Sequence, residues 1–242
     1  MNRFQKKTLV WEKIARALTA DITDGRYGPG DKLPTEAELA KRFEVNRHTI
    51  RNALKDMAEN GLVFSRRGSG VYVSQTPAEY PLGKRVRFHN NLEKAGRSPG
   101  KETLSIETRA ADPREAHALG LKVGDAVHSY EALSLADSEP IVMFRSVFPA
   151  DRFPDLLDHI TYSNSVTEAL RACGVEDYTR ASTRISARRA TATQAHHLRI
   201  HEGDPVVLSV AINVDPEGRP TEYGVSWFAG DRVTLTLTLD AD

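Results

Sequence analysis

The chain has 242 residues with 33 Lys+Arg against 33 Asp+Glu, 40% hydrophobic and 27% charged side chains, and one cysteine, Cys173. This is an ordinary globular composition, long enough for one large or two modest domains, and a lone cysteine excludes an intrachain disulfide or a cysteine-built zinc cluster. No run reaches the roughly 20 apolar residues of a membrane helix and the N-terminus lacks the apolar stretch of a secretion signal, so a cytoplasmic setting is expected.

Between Thr8 and Asp24, the residues Val10, Ile14, Ala17, Leu18 and Ile22 fall on one face of a helix, which Gly25 and Tyr27-Gly-Pro-Gly30 stop. Thr35-Glu-Ala-Glu38 is a capping-box pattern, and it opens a short helix through Phe43. Asn46 offers the next N-cap, and Ile50, Ala53, Leu54 and Met57 repeat at helical spacing up to Asn60-Gly61. Two helices joined by so short a turn read as a helix-turn-helix. Leu62-Val-Phe-Ser65 and Val71-Tyr-Val73 then read as strands of a hairpin around Arg66-Arg-Gly-Ser-Gly70, which completes a winged helix over 1–74. Residues 75–85, with two prolines, are expected to be a linker, and 86–242 a second domain.

The second domain repeats itself at a spacing of 79 to 80 residues. Leu119-Gly-Leu-Lys-Val-Gly-Asp-Ala-Val127 aligns with Leu198-Arg-Ile-His-Glu-Gly-Asp-Pro-Val206, and Phe148-Pro-Ala-Asp-Arg152 with Phe228-Ala-Gly-Asp-Arg232. Each copy reads as a helix, a Gly-Asp turn, a strand, a hairpin and a second strand. The expected architecture is α+β: a winged helix-turn-helix followed by a domain in which two related halves pair into one antiparallel sheet, with helices.

Residues 1–80 carry 14 basic and 10 acidic side chains, and the remainder 19 and 23. A net positive first third is what approach to a polyanion requires. If Asn46 caps the third helix, Arg47, His48, Arg51, Asn52 and Lys55 fan over its outer side. Arg47, near the helix start, is placed to read a guanine edge in the major groove, whereas Lys55 is placed for phosphate. Arg66 and Arg67 supply wing-tip cations, and the wing glycines let backbone approach a sugar-phosphate strand. A basic helix face alone is commonly just solvated surface. The short turn, the cationic helix and the two-arginine wing together point to duplex DNA.

Gly28-Pro-Gly-Asp-Lys-Leu-Pro-Thr-Glu-Ala-Glu-Leu-Ala40, Val45-Asn-Arg-His-Thr-Ile-Arg-Asn-Ala-Leu54, Gly61-Leu62 and Gly68-Ser-Gly-Val-Tyr-Val73 resemble the DNA-binding domain of GntR-family bacterial transcription regulators. The resemblance implies DNA contacts from Thr35, Glu36, Arg47, Thr49, Arg51 and Gly70. Ala37 stands where the family often has arginine, which implies a different operator preference.

Phe148-Pro, Arg152-Phe-Pro154, Asn213-Val-Asp215, Glu222-Tyr-Gly224 and Gly230-Asp-Arg232 resemble the UTRA effector domain of the HutC subfamily, whose fold is like that of chorismate lyase. Arg85 to Leu92, Phe148 to Pro154, Thr183 to Ala187 and Asn213 to Tyr223 resemble, more narrowly, regulators of phosphonate utilisation. The resemblance implies a homodimer on an inverted-repeat operator, relieved of repression by a small anionic effector, a phosphonate or phosphate ester. Regulation of another catabolic operon, sensing urocanate or a sugar phosphate, and a chorismate-lyase-like enzyme are the alternatives.

The effector candidates are Arg87, His89, Asn90, Ser134, Arg145, Ser165, Thr167, Arg184 and Glu222. His89 to Asn91 would open a helix whose free N–H groups suit an anion, and Ser165 and Thr167 lie near another helix start. Arg145, Arg180 and Arg184 lie on or beside predicted strands, where charge is costly unless it meets water or an anion. Glu222 suits the ammonium of an aminoalkyl phosphonate. Pairing of Arg145 and Arg184 with surface acids, and a capping role for Asn90, remain open readings. By resemblance, Ala132, Ser134 and Phe144 stand where sugar-phosphate sensors carry two arginines and a glutamate, which argues against an amino-sugar phosphate.

His196-His197 point about 100° apart on a helix and do not make a metal site, and no hydrolase or phosphate-loop motif occurs. No catalytic residue, metal or cofactor is assigned.

Overall fold

The computed structural model describes residues 9–66, 68–74, 77–83 and 98–237. The chain divides into two compact units, Met1–Thr76 and Pro77–Asp242.

In the first unit α1 (Val10–Thr23), α2 (Glu36–Arg42) and α3 (Arg47–Glu59) are followed by the antiparallel hairpin β1 (Val63–Arg66) and β2 (Gly70–Val73). The capping expectations hold: Thr35 and Glu38 form a reciprocal box, and the Asn46 side chain accepts from Thr49 N–H. Residues 30–33 line the other edge of β2, where Gly30 and Leu33 N–H groups donate to Val73 and Val71 carbonyls at 3.1 and 2.8 Å. The segment before α2 is thus fixed to the wing. Leu18, Leu39, Ile50, Ala53 and Met57 are fully buried beneath this frame. The inward stripe of α3 turns its polar side outward, as the spacing predicts.

The second unit is built on six antiparallel strands: β4 (Pro99–Ala110), β5 (Ala126–Ala136), β6 (Glu139–Pro149), β7 (Thr179–Arg189), β8 (Pro205–Val214) and β9 (Pro220–Ala229). Their order in the sheet is β4-β5-β6-β9-β8-β7. Helices α4 (Pro113–Leu119) and α7 (Ala192–Leu198) pack on one face, and α5 (Leu156–Ser163) and α6 (Val166–Ala172) pack on the other, over Tyr130, Ala132 and Phe148.

The sequence repeat is therefore a structural repeat, β4-α4-β5-β6 and β7-α7-β8-β9, joined through β6 and β9. Arg145 pairs across these strands with Val225, its own partner at an offset of 80 residues, so a pseudo-two-fold axis passes between them. The periodicity had not disclosed β4 as the first strand of its copy. A pair of arginines locks the halves reciprocally. Arg152 Nη1 donates to Pro220 carbonyl at 3.0 Å, and Arg232 Nη1 donates to Pro140 carbonyl at 2.7 Å; Pro140 and Pro220 are themselves repeat partners. After Arg152 the chain makes α5 and α6, whereas after Arg232 it makes β10 (Val233–Thr236).

One expectation is corrected here. Within the segment read as linker, Ala78–Pro81 forms strand β3, which pairs in parallel with β10. Proline at its end and a charge at Glu79 hid a strand that has only one partner and needs no long apolar alternation.

Candidate functional site

On the first unit, α3 presents Arg47, His48, Arg51 and Lys55 outward, all exposed. They are not equally available. The Arg51 guanidinium makes two hydrogen bonds to Glu36 on α2, Nε to Oε1 at 3.0 Å and Nη2 to Oε2 at 2.7 Å. This bond holds the Glu36 carboxyl below its ordinary range, against a smaller opposing effect of burial. Lys55 has Glu59 one turn on at 3.7 Å, an exposed pair of little energetic weight. Arg47 faces no hydrogen-bonded carboxylate among the described residues, which leaves its fork open for a base edge.

Thr35 spends both its N–H and its hydroxyl proton on Glu38, each at 2.7 Å, and the Thr49 hydroxyl donates to Asn46 Oδ1 at 3.0 Å. These two hydroxyls keep only acceptor capacity unless the caps open. Gly70 has φ +122°, in the region that favours glycine, and a Cβ there would meet Lys32 Cε at 2.9 Å. Arg67 and the Arg66 side chain lie outside the described residues.

The second unit holds a cavity of about 600 Å³ between the sheet and the α5–α6 corner. The effector candidates Ser134, Ser165, Thr167 and Glu222 line it. Glu222 is buried and accepts from Asn213 Nδ2 at 2.7 Å and from the Ser146 hydroxyl at 2.5 Å. Ser165 caps α6 by accepting from Glu168 N–H at 3.3 Å, which leaves its own proton to give; Thr167 and Tyr178 share a hydrogen bond of 2.9 Å.

Arg145 and Arg184 are not in this cavity. Phe144 and Ser146 line it, so Arg145 between them stands on the opposite face, bonded to its cross-strand neighbour Glu131 at 2.5 Å. Arg184 is paired in register with Val210, whose neighbours Ser209 and Ala211 line the cavity, so it too points away and is exposed. Arg87, His89 and Asn90 lie outside the described residues.

Among the described residues, the cations that line the cavity are Lys101, Arg171 and Arg180. Lys101 donates to the carbonyl of Asn164, a left-handed residue at φ 53°, at 2.7 Å; burial lowers its pKa, and the Glu222 charge opposes that. Arg180 Nε is buried without a hydrogen-bond partner among the described residues. Lys101 pairs with Ser134, and Arg180 with Asn213, and these are repeat partners at 79 residues. The two cations are thus counterparts across the pseudo-dyad. The buried Glu222 has no such counterpart, because Val142 occupies the position matching it, and the second lining carboxylate, Glu168, stands on α6. Only the repeat could have pointed from one cation to the other. The arrangement can neutralise an anionic group, take a cationic one at Glu222, and offer hydroxyls between them.

Comparison with known proteins follows the same division. Residues 11–73 match the family "Bacterial regulatory proteins, gntR family", and residues 94–234 match the "UTRA domain". An "Uncharacterized HTH-type transcriptional regulator" of Rhizobium meliloti is 36% identical over 234 residues, 96% of each chain. The "Probable transcriptional regulator PhnF" of Escherichia coli is 35% identical over 228 residues, 94% of each. The crystal structure of PhnF from Mycobacterium smegmatis superposes with a TM-score of 0.67 at 28% identity, covering 97% of this chain and 100% of that one.

Proposed function

The chain belongs to the GntR family of transcriptional regulators, in its HutC-type, UTRA-containing branch, and on that premise we propose that it represses a phosphonate uptake or degradation operon. In this reading it is a cytoplasmic homodimer on an inverted-repeat operator. Arg47 reads base edges, Lys55 holds phosphate, and Arg51 is released from Glu36 toward DNA. A small anion in the second unit's cavity relieves repression. Two winged helices must meet half-sites about one turn, roughly 34 Å, apart, so a ligand that alters their spacing alters affinity. A coupling of ~1–3 kcal/mol suffices for a 5- to 150-fold effect.

The observation that carries the effector class is the joint presence of Lys101, Arg180 and the buried Glu222 in one cavity. Such a set suits a small zwitterion, an aminoalkyl phosphonate, better than urocanate, which lacks an amine. Whole-length similarity to proteins named PhnF supports the same choice.

The test is calorimetry with 2-aminoethylphosphonate, phosphate, urocanate and a sugar phosphate, run beside operator binding to the chain's own upstream DNA. Phosphonate binding that lowers operator affinity is the expected result. Binding of urocanate alone would move the protein to histidine catabolism. Turnover of chorismate without any DNA binding would replace the regulator with an enzyme.

A further inference from the structure

The segment that leads into α2 runs along the wing as a short third strand. Lys32 bridges antiparallel to Tyr72, and the Val73 N–H donates to the Asp31 carbonyl at 2.9 Å beside the bonds from Gly30 and Leu33. Alternation sorts the side chains between the two faces of this small sheet. Leu33, Val63 and Val73 are buried in the core, with Val71 packed against them. Lys32, Phe64, Gly70 and Tyr72 therefore stand on the outer face, where the two rings stack at 5.8 Å.

The Lys32 side chain runs over Gly70. A Cβ at that glycine would come within 2.9 Å of Lys32 Cε and 3.7 Å of Nζ, the first closer than real Cβ contacts come. Only a residue without a side chain leaves the lysine this path. Lys32 itself is exposed and makes no ion pair among the described residues. The Glu38 carboxyl, held low first by its bonds to the Thr35 hydroxyl and N–H, feels a lesser pull from the Lys32 charge.

We propose that Lys32 is a phosphate contact of the DNA-binding surface, and that Gly70 serves it by giving the lysine stem a seat on the wing. The inference rests on the reading of the first unit as a module for duplex DNA.

Three observations support it. Lys32 stands between the hairpin and the outward cations of α3, to which Glu36, four residues on, is tied through Arg51. Unlike Arg51, it breaks no hydrogen-bonded carboxylate pair to meet a phosphate, so the release of counterions is not offset by a lost pair. A stem laid along the sheet also has less rotamer freedom left to lose on binding.

Fluorescence anisotropy on the full-length protein tests this, with the chain's own upstream DNA and a scrambled duplex as probes. Wild type, Lys32→Ala, Gly70→Ala and the double variant are compared across a salt series. Loss of one phosphate contact flattens the dependence of log K on log salt by about 0.9, so from about 50 to 200 mM salt the wild type should lose about 3.5-fold more affinity than Lys32→Ala. Lys32→Ala should weaken both duplexes by the same factor. Gly70→Ala should weaken binding in the wild-type background and do so less in Lys32→Ala. Strain at the Gly70 φ of +122° is common to both backgrounds and cancels in that comparison. An unchanged salt slope in Lys32→Ala, or a loss confined to the upstream DNA, overturns the phosphate contact. Losses that simply add in the double variant overturn the role given to Gly70. A wild type that binds neither duplex at low salt overturns the DNA-binding reading, and this inference with it.

Discussion

Arg51 and Glu36 are joined side by side through two hydrogen bonds, one between α3 and α2 at 3.0 Å and the other at 2.7 Å. The residue read as a DNA contact is therefore neutralised in the free protein. Glu36→Gln removes the opposing charge and frees the guanidinium for phosphate. One added phosphate contact steepens the dependence of log K on log salt by about 0.9. Fluorescence anisotropy with random duplex across a salt series should show this, together with tighter nonspecific binding. An unaltered slope would mean that Arg51 stays off the backbone.

Arg47 and Lys55 should separate cleanly. Arg47→Ala is expected to cost about 1–3 kcal/mol on the operator and to relax base choice, whereas Lys55→Ala should weaken all duplexes alike and lower the salt slope by about 1. Competition binding with operator and scrambled DNA measures both. Equal losses on the two sequences for Arg47→Ala would remove its reading role.

Arg232 should matter more to stability than its counterpart Arg152. It is buried and donates to the carbonyls of Pro140, Leu198 and Arg199 at 2.7, 2.7 and 3.1 Å, with Glu139 paired at 3.0 Å. Arg232→Met leaves these carbonyls without the guanidinium that bonds them and removes the cation beside Glu139, at a cost of about 3–5 kcal/mol. Arg152 is more exposed and its partner Asp215 keeps Arg219 at 2.8 Å, so Arg152→Met should cost about 1–2 kcal/mol. Urea unfolding followed by Trp227 fluorescence in a Trp11→Phe background gives the order.

Acid sensitivity has a traceable source at Glu115. The Arg109 guanidinium, bonded twice at 2.7 Å, holds this carboxyl below the ordinary 4.5, against the opposing effect of burial. A depressed folded-state value gives stability that is complete above 4.5 and is lost as pH falls toward and through the folded value, because the unfolded chain takes up the proton first. Glu115→Gln should be less stable at neutral pH and should flatten the decline below pH 4.5. Unfolding free energies measured across that range check the sign.

Glu222→Gln tests the polarity of the cavity. Losing a charge-assisted bond to an ammonium costs about 1.5–3 kcal/mol, so affinity for 2-aminoethylphosphonate should fall about 10- to 150-fold. Affinity for inorganic phosphate should hold or rise, since a nearby negative charge is gone. Parallel losses for both ligands would place Glu222 in a structural role.

The elements with strong local signals were legible in the sequence: the stripe from Ile50 to Met57, the Thr35/Glu38 box and the 79- to 80-residue repeat all reappear in the fold. Strand β4 was not, because an edge strand such as Pro99–Ala110 has no buried face to impose apolar alternation. Of the effector candidates, Ser134, Ser165, Thr167 and Glu222 line the cavity, whereas Arg145 and Arg184 stand on the opposite face of the sheet. Side-chain direction on a strand depends on register, and β7 carries a bulge between Arg180 and Ser182 that no residue type announces. Lys101 was missed for a related reason: a single lysine on an edge strand looks solvated until the α5–α6 corner closes over it.

The internal dyad of the second unit has a consequence for handedness of response. A perfectly two-fold cradle would accept an unsymmetrical molecule equally well in either of two opposed poses, and the protein could not tell them apart. On the sheet floor Lys101 and Arg180 preserve that indifference, and the exchange of valine at 142 for glutamate at 222 breaks it. Glu222 thereby gives the sheet floor of the cavity a chemical head and tail, in addition to the one-sided wall that α5 and α6 already supply.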